Sequence, residues 1–213
     1  PDARMQRVLT DAVAIGNATA RAIAFRPRSE TIWYYGKESS WFSAFDGGDY
    51  RWLIDDGNGG RNKDARTLFF YIATVNTPAM VLKMVGMGSQ YALSVTDSKR
   101  RYLDGSKTYR LIIPANVPAK DFWSLVVYDP QTRSMLQTSQ AYPSKNNERN
   151  RDMVTNSDGS TTLWFGPDPP GKKETNWIQT IPRKGWFCCL RLYGPLEPWF
   201  DKTWRPGEVE LVE

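Results

Sequence analysis

The sequence predicts an α+β chain, with an N-terminal helical region followed by an antiparallel, jelly-roll-like β sandwich. Three observations predict it. Residues 2–26 carry apolar side chains at helical spacing. After Gly88 the pattern changes to short runs of β-formers separated by Gly, Pro and Asp turns. The stretch Trp177–Trp204 then gathers four of the nine Trp around a continuous apolar run. These patterns divide the chain into a helical linker or packing region, 1–87, and a β-sandwich region, 88–213.

In the first helix Met5, Val8, Leu9, Ala12, Val13, Ile15 and Ala18 recur near the helical period, with Arg4, Gln6, Arg7, Asp11 and Asn17 opposite. Pro27 ends it. An apolar stripe of this length is expected to pack on the sheet or on a segment upstream of it. Trp33–Trp52 is aromatic and broken by Gly47–Gly48, which predicts short elements laid over the core. Asp55-Asp56-Gly57-Asn58-Gly59-Gly60 resembles a calcium loop in composition but lacks the spacing and the terminal Glu of one, so it is read as a turn. Residues 63–86 predict a second helix, kinked at Pro78.

The strands follow. Tyr91–Thr96 alternates, and Asp104-Gly105 is a turn signal before Thr108–Ile113. Phe122–Tyr128 is rich in β-formers and closed by Asp129-Pro130. Asp158-Gly159 precedes Thr161–Phe165. Gly185–Tyr193 reads as a strand buried on both faces, because its apolar run is continuous rather than alternating. The proline-rich tail after Gly194-Pro195 is expected to fold back on the sheet.

Composition bounds the chemistry. A chain of 213 residues with 40% hydrophobic and 13% aromatic content is long enough for a sizeable core. Net charge is +5, and the one dense basic cluster, Lys99-Arg100-Arg101, is not continued into the aromatic-interleaved pattern of a nucleic-acid groove. No 18-residue apolar run is present, so no membrane span is expected. Cys188 and Cys189 are adjacent on a strand and point to opposite faces, so they are poorly placed to pair with each other. The chain has no His. That removes Ser-His-Asp and Cys-His catalysis and histidine-based metal sites. No P-loop is present, and Gly86-Met87-Gly88 falls short of a dinucleotide fingerprint. No cofactor or metal is expected.

Four polar residues stand out as ligand-binding candidates. Tyr128 and Asp129 end an apolar strand, Arg133 follows its turn, and Arg191 interrupts the continuous apolar run. A cation in such a strand faces solvent, a partner chain or a buried acid. The alternative is a convergent polar cluster at the mouth of the sandwich that takes an acidic or polyhydroxyl ligand.

The segments Leu103–Leu111, Pro114–Asp129, Gln131–Thr138, Asn176–Thr180 and Gly185–Gly207 resemble the domain of unknown function 1214. Asp11–Phe25 resembles the link that joins this domain to its usual upstream neighbour, the domain of unknown function 1254. The resemblance implies a jelly-roll-like sandwich and an upstream domain or chain of that second type as partner, or a second copy in a homo-oligomer. It implies no activity and no catalytic residue. The first expectation is therefore the structural or binding half of a two-part protein. The second is a His-independent hydrolase or lyase acting through Tyr128, Asp129, Arg133 or Arg191. A cytoplasmic and a periplasmic or secreted location fit equally.

Overall fold

The computed structural model describes residues 1–171 and 174–212. Asp2 caps the first helix, α1 (Ala3–Phe25), its carboxylate accepting the Met5 N–H at 2.8 Å. Arg26 closes the helix by donating its N–H to the Ala22 carbonyl at 3.0 Å, and Pro27 bars continuation. The helix is where its periodicity places it, but most of it does not pack. Only Ala24 and Phe25 are buried, while Val13 and Ile15 are 72% and 66% exposed.

The acidic segment Asp55–Gly57 turns the chain between β1 (Leu53–Ile54) and β2 (Gly60–Arg61), a two-stranded antiparallel pair. Asn62 then caps α2 (Lys63–Ile72), its side-chain oxygen accepting the Ala65 N–H at 3.0 Å. The sequence predicts this helix through residue 86, and it stops at Ile72 instead. Thr74, Val75 and Thr77 are β-branched, and a residue preceding proline is pushed out of the helical region. Thr77 is accordingly extended, at φ −134° and ψ 152°, and Pro78 opens a single 3₁₀ turn, Pro78–Met80. The chain has already left the helix at Ala73, extended at φ −123° and ψ 168°, so Pro78 lies beyond the helix and does not kink it.

The remaining elements are β3 (Ser89–Ser94), β4 (Tyr109–Ile113), β5 (Ala119–Tyr128), β6 (Ser144–Asn146), β7 (Thr161–Gly166), β8 (Trp177–Gln179), β9 (Phe187–Pro195), α3 (Glu197–Phe200) and β10 (Glu210–Leu211). They form two four-stranded sheets, ordered β3-β9-β5-β6 and β10-β4-β7-β8. The first is antiparallel throughout. In the second, β7 and β8 run parallel, with Trp164 opposite Trp177. The expectation of a wholly antiparallel architecture is corrected at this pair. The chain from Gly166 to Trp177 is longer than the two-residue hairpin of an antiparallel pair and serves as the crossover a parallel pair needs.

One core joins the two sheets. Leu125, Val127, Leu190 and Leu192 from the first meet Tyr109, Leu111, Leu163 and Phe165 from the second. The tail closes this core as its aromatic content predicts. Trp199 of α3 is fully buried, the Trp204 indole donates to the Ala115 carbonyl at 3.1 Å, and the Trp41 indole donates to the Gly207 carbonyl at 2.7 Å. Lys202 lays its ammonium over the rings of Tyr34 and Trp199, 4.4 and 5.0 Å from their centroids.

The opposite face of the first sheet is covered as well. Leu93, Val95, Phe187 and Cys189 pack there against Phe25, Ile32, Phe42 and Leu68, so the last turn of α1 and one face of α2 form a third layer. Cys188 belongs to the inter-sheet core and Cys189 to this outer one, as adjacent strand positions require.

If the two sheets share one core, truncation in either should cost alike. Leu111→Ala and Leu190→Ala should each lower unfolding free energy by about 2–5 kcal/mol. Val13→Ala on exposed α1 should change it by less than about 0.5 kcal/mol. Urea titrations of the three variants check this.

Candidate functional site

The strand register decides which side chains face the outer layer. β9 is central, flanked by β3 and β5. Arg191 lies opposite Tyr91 on one side and Ser124 on the other, Cys189 opposite Leu93 and Val126, and Phe187 opposite Tyr128. Leu190 and Leu192 fill the inter-sheet core, so Phe187, Cys189 and Arg191 share the face turned to α2. Cover there is incomplete. A cleft of about 360 Å³ remains, floored by Tyr91, Leu93, Tyr128, Phe187, Cys189 and Arg191. Phe45, Phe69, Ile72, Val75 and Met80 wall it, and Arg133 reaches it from the turn after β5.

Three of the four residues singled out from sequence therefore meet in one cleft: Tyr128, Arg133 and Arg191. The Arg191 guanidinium sits 5.3 Å from the Tyr91 ring centroid and 6.0 Å from that of Tyr193. Its Nε is buried without a hydrogen-bond partner, and no carboxylate among the described residues pairs with it. Tyr128 stacks on Phe187 with centroids 5.2 Å apart and planes at 19°. Arg133 adopts a left-handed backbone, φ 60°, and places its guanidinium 4.4 Å from the Tyr71 ring centroid. A non-glycine residue in that conformation is held there by its surroundings. Here the Arg133 N–H donates to the Asp129 carbonyl at 2.8 Å.

Tyr128 and Cys189 stay in their protonated forms at neutral pH. Burial pushes the Tyr128 hydroxyl up to about 12, with Cys189 adding to the rise. Burial likewise pushes the Cys189 thiol up to about 12, against the opposing pull of Arg191. The lining thus offers two guanidinium groups, two phenols and a thiol, and no carboxylate.

Asp129 lies elsewhere. Its carboxylate takes the Lys184 ammonium at 2.6 Å and the Gln131 N–H at 2.8 Å. Burial alone would raise its pKa, but those two donors outweigh burial and hold the carboxyl below its ordinary value. This ion pair fastens the turn after β5 to the segment leading into β9, so Asp129 supports the cleft without lining it.

Residues 88–197 match the family described as Protein of unknown function (DUF1214), which is just over half of the chain. This chain belongs to the DUF1214 family. The family match contains all four candidates, together with Tyr91 and Cys189. The apolar wall of the cleft, from Phe45 to Met80, precedes the DUF1214 match.

Among solved structures, the VPA0106 protein from Vibrio parahaemolyticus overlays 78% of this chain with a TM-score of 0.55 and 22% identity. A putative uncharacterized protein from Burkholderia cenocepacia is matched over the whole chain at 14% identity and a TM-score of 0.44. The chain spans 40% and 44% of the lengths of those two proteins. The Vibrio likeness supports the fold alone. A comparison with curated proteins gives no match.

Sequence reasoning missed Tyr91, Cys189, Phe45, Phe69 and Met80 as cleft residues. Tyr91 and Cys189 carry a usable signal, since both alternate in phase with a face shared with Arg191. The three wall residues come from another part of the chain and become neighbours only through tertiary contact.

Because the Asp129 pKa is depressed in the folded state, its ion pair adds stability above the unfolded carboxylate pKa. That stability is lost as pH falls through the folded value. Lys184→Met should therefore lower the urea midpoint at pH 7, and the gap from wild type should close as pH drops below that value. Urea titrations across the acid range read both effects.

Proposed function

We propose that this chain is the structural or binding half of a two-part protein, and that the exposed face of α1 is its contact with the other part. The observation carrying this reading is the helix itself. Met5, Val8, Leu9, Val13 and Ile15 are each about half or more exposed on a helix whose buried residues are confined to its last turn. An unsupported helix draws little stability from propensity alone, and an apolar stripe facing water marks an interaction surface. The companion suggested by the sequence resemblance is a domain of unknown function 1254, in the same polypeptide or a separate one, with a second copy of this chain as the alternative. The VPA0106 protein, of which this chain covers 40%, has length for such a neighbour. On this reading residues 1–87 are a packing region and 88–213 a sandwich of jelly-roll type.

A hydrolase or lyase is the second reading, favoured by the convergence of Tyr128, Arg133 and Arg191 on one cleft. The protonation states weigh against it. General-base catalysis at neutral pH needs a group with a pKa near 7 within reach of the substrate. Tyr128 and Cys189 are pushed to about 12, and Asp129 is held by Lys184 outside the cleft.

Hydrogen exchange and light scattering test the first reading together. Alone and monomeric, the chain should exchange amides 3–19 rapidly while β9 stays protected. With a companion domain or a second copy bound, those amides should slow, and Val8→Glu with Val13→Glu should abolish the slowing without moving the melting temperature of the β core. A monomer whose α1 amides are protected would overturn the proposal.

A further inference from the structure

We infer that the cleft between α2 and the outer face of the first sheet binds a small organic carboxylate with an apolar body, anchored by Arg191. This site is separate from the α1 contact, and the two stand or fall on different measurements.

A cation in this place carries a desolvation cost. An ionised group withdrawn from water is retained where a counter-charge or a full set of acceptors meets it. Arg191 is half-buried and has neither from the protein among the described residues: its Nε is buried without an acceptor, and it takes part in no ion pair. Two tyrosine faces, Tyr91 and Tyr193, hold the guanidinium by cation–π contact, which orients it but leaves its N–H fork unfilled. A guanidinium with a free fork is matched by a planar bidentate acceptor, and a carboxylate has that shape.

The walls choose the remainder of the ligand. Phe45, Phe69, Ile72 and Met80 line the same cleft as the cation, and no Asp or Glu lines it. A free inorganic anion would satisfy the charge and leave those walls wetted. A sugar would need several acceptors and donors that the lining lacks. A carboxylate on an aromatic ring or a short branched chain meets both demands. The volume, about 360 Å³, lies at the small end of ligand sites. Tyr128 remains a phenol at neutral pH and supplies an O–H donor beside the anchor. Arg133 adds a second positive charge to the lining, which favours entry of an anion.

The test uses the full chain and defined probes: phenylacetate, hexanoate, neutral phenylacetamide and inorganic phosphate. Each is titrated by calorimetry and followed through the amide resonances of β3 and β9. Phenylacetate or hexanoate should bind with sub-millimolar affinity, and phenylacetamide at least about tenfold more weakly. Phosphate should bind more weakly than either carboxylate. Arg191→Gln should weaken carboxylate binding by at least about tenfold, and Arg191→Lys should restore part of it. Carboxylate and amide binding equally, or phosphate binding best, would overturn the inference. So would the absence of any carboxylate binding below about 10 mM to the folded wild-type chain. The comparison of carboxylate with amide uses wild-type protein, so it holds even where an Arg191 variant fails to fold.

Discussion

Cover on both faces of β9 is the constraint on which the other elements depend. Five of its seven buried residues, Phe187, Cys188, Cys189, Leu190 and Leu192, alternate between two separate cores. A strand of that kind cannot sit at an edge or face water on one side. It therefore requires β3 and β5 as neighbours, the second sheet beneath, and helical cover above. The aromatic tail and the last turn of α1 answer the same demand from opposite sides. Arg191 is the one charged side chain in this strand, half-buried where the outer cover is incomplete and set among tyrosine rings.

The three layers divide the chain's work. The inter-sheet layer is built almost wholly of aliphatic and aromatic side chains and fixes the register of the strands. The outer layer is less complete, and its gap is where phenol, thiol and guanidinium come together. Polar knots hold the edges. Glu208 accepts from the Ser39 hydroxyl at 2.7 Å and from the Ser40 N–H at 2.8 Å, and Arg205 pairs with it at 2.7 Å. Asp46 accepts from the hydroxyls of Ser29 and Thr31, each at 2.6 Å. Both knots join the 29–46 segment to distant parts of the sequence or close it on itself, which steadies the aromatic residues it lays over the sheets.

Much of this was legible in the residue order because the decisive signals are local. The helical spacing from Met5 to Ala18 with Pro27 after it predicts α1, and the continuous apolar run of β9 predicts burial on two sides. The extent of α2 was not legible from periodicity, since Met80, Val81, Met84 and Val85 continue an apolar pattern. The helix stops at Ile72 despite them, ahead of β-branched Thr74 and Val75, and Pro78 bars its resumption through Thr77. Strands β8 and β10 have three and two residues and exist through pairing with distant partners, so local pattern carries little of them. The same divide runs through the site. Arg191 is conspicuous as a charge within an apolar run, and Tyr128 and Arg133 flank a turn. Asp129 looks equivalent to them until Lys184, far along the chain, is seen to claim it.

The neighbouring sulfurs of Cys188 and Cys189 give this architecture an unusual internal gauge. One thiol is sealed between the sheets and the other beneath the helical cover, and neither forms a disulfide. Any motion that lifts the cover while leaving the sandwich closed would bare the second and spare the first. The ratio of their alkylation rates would thus separate loosening of one layer from loss of the whole fold, with a single dipeptide reporting on both.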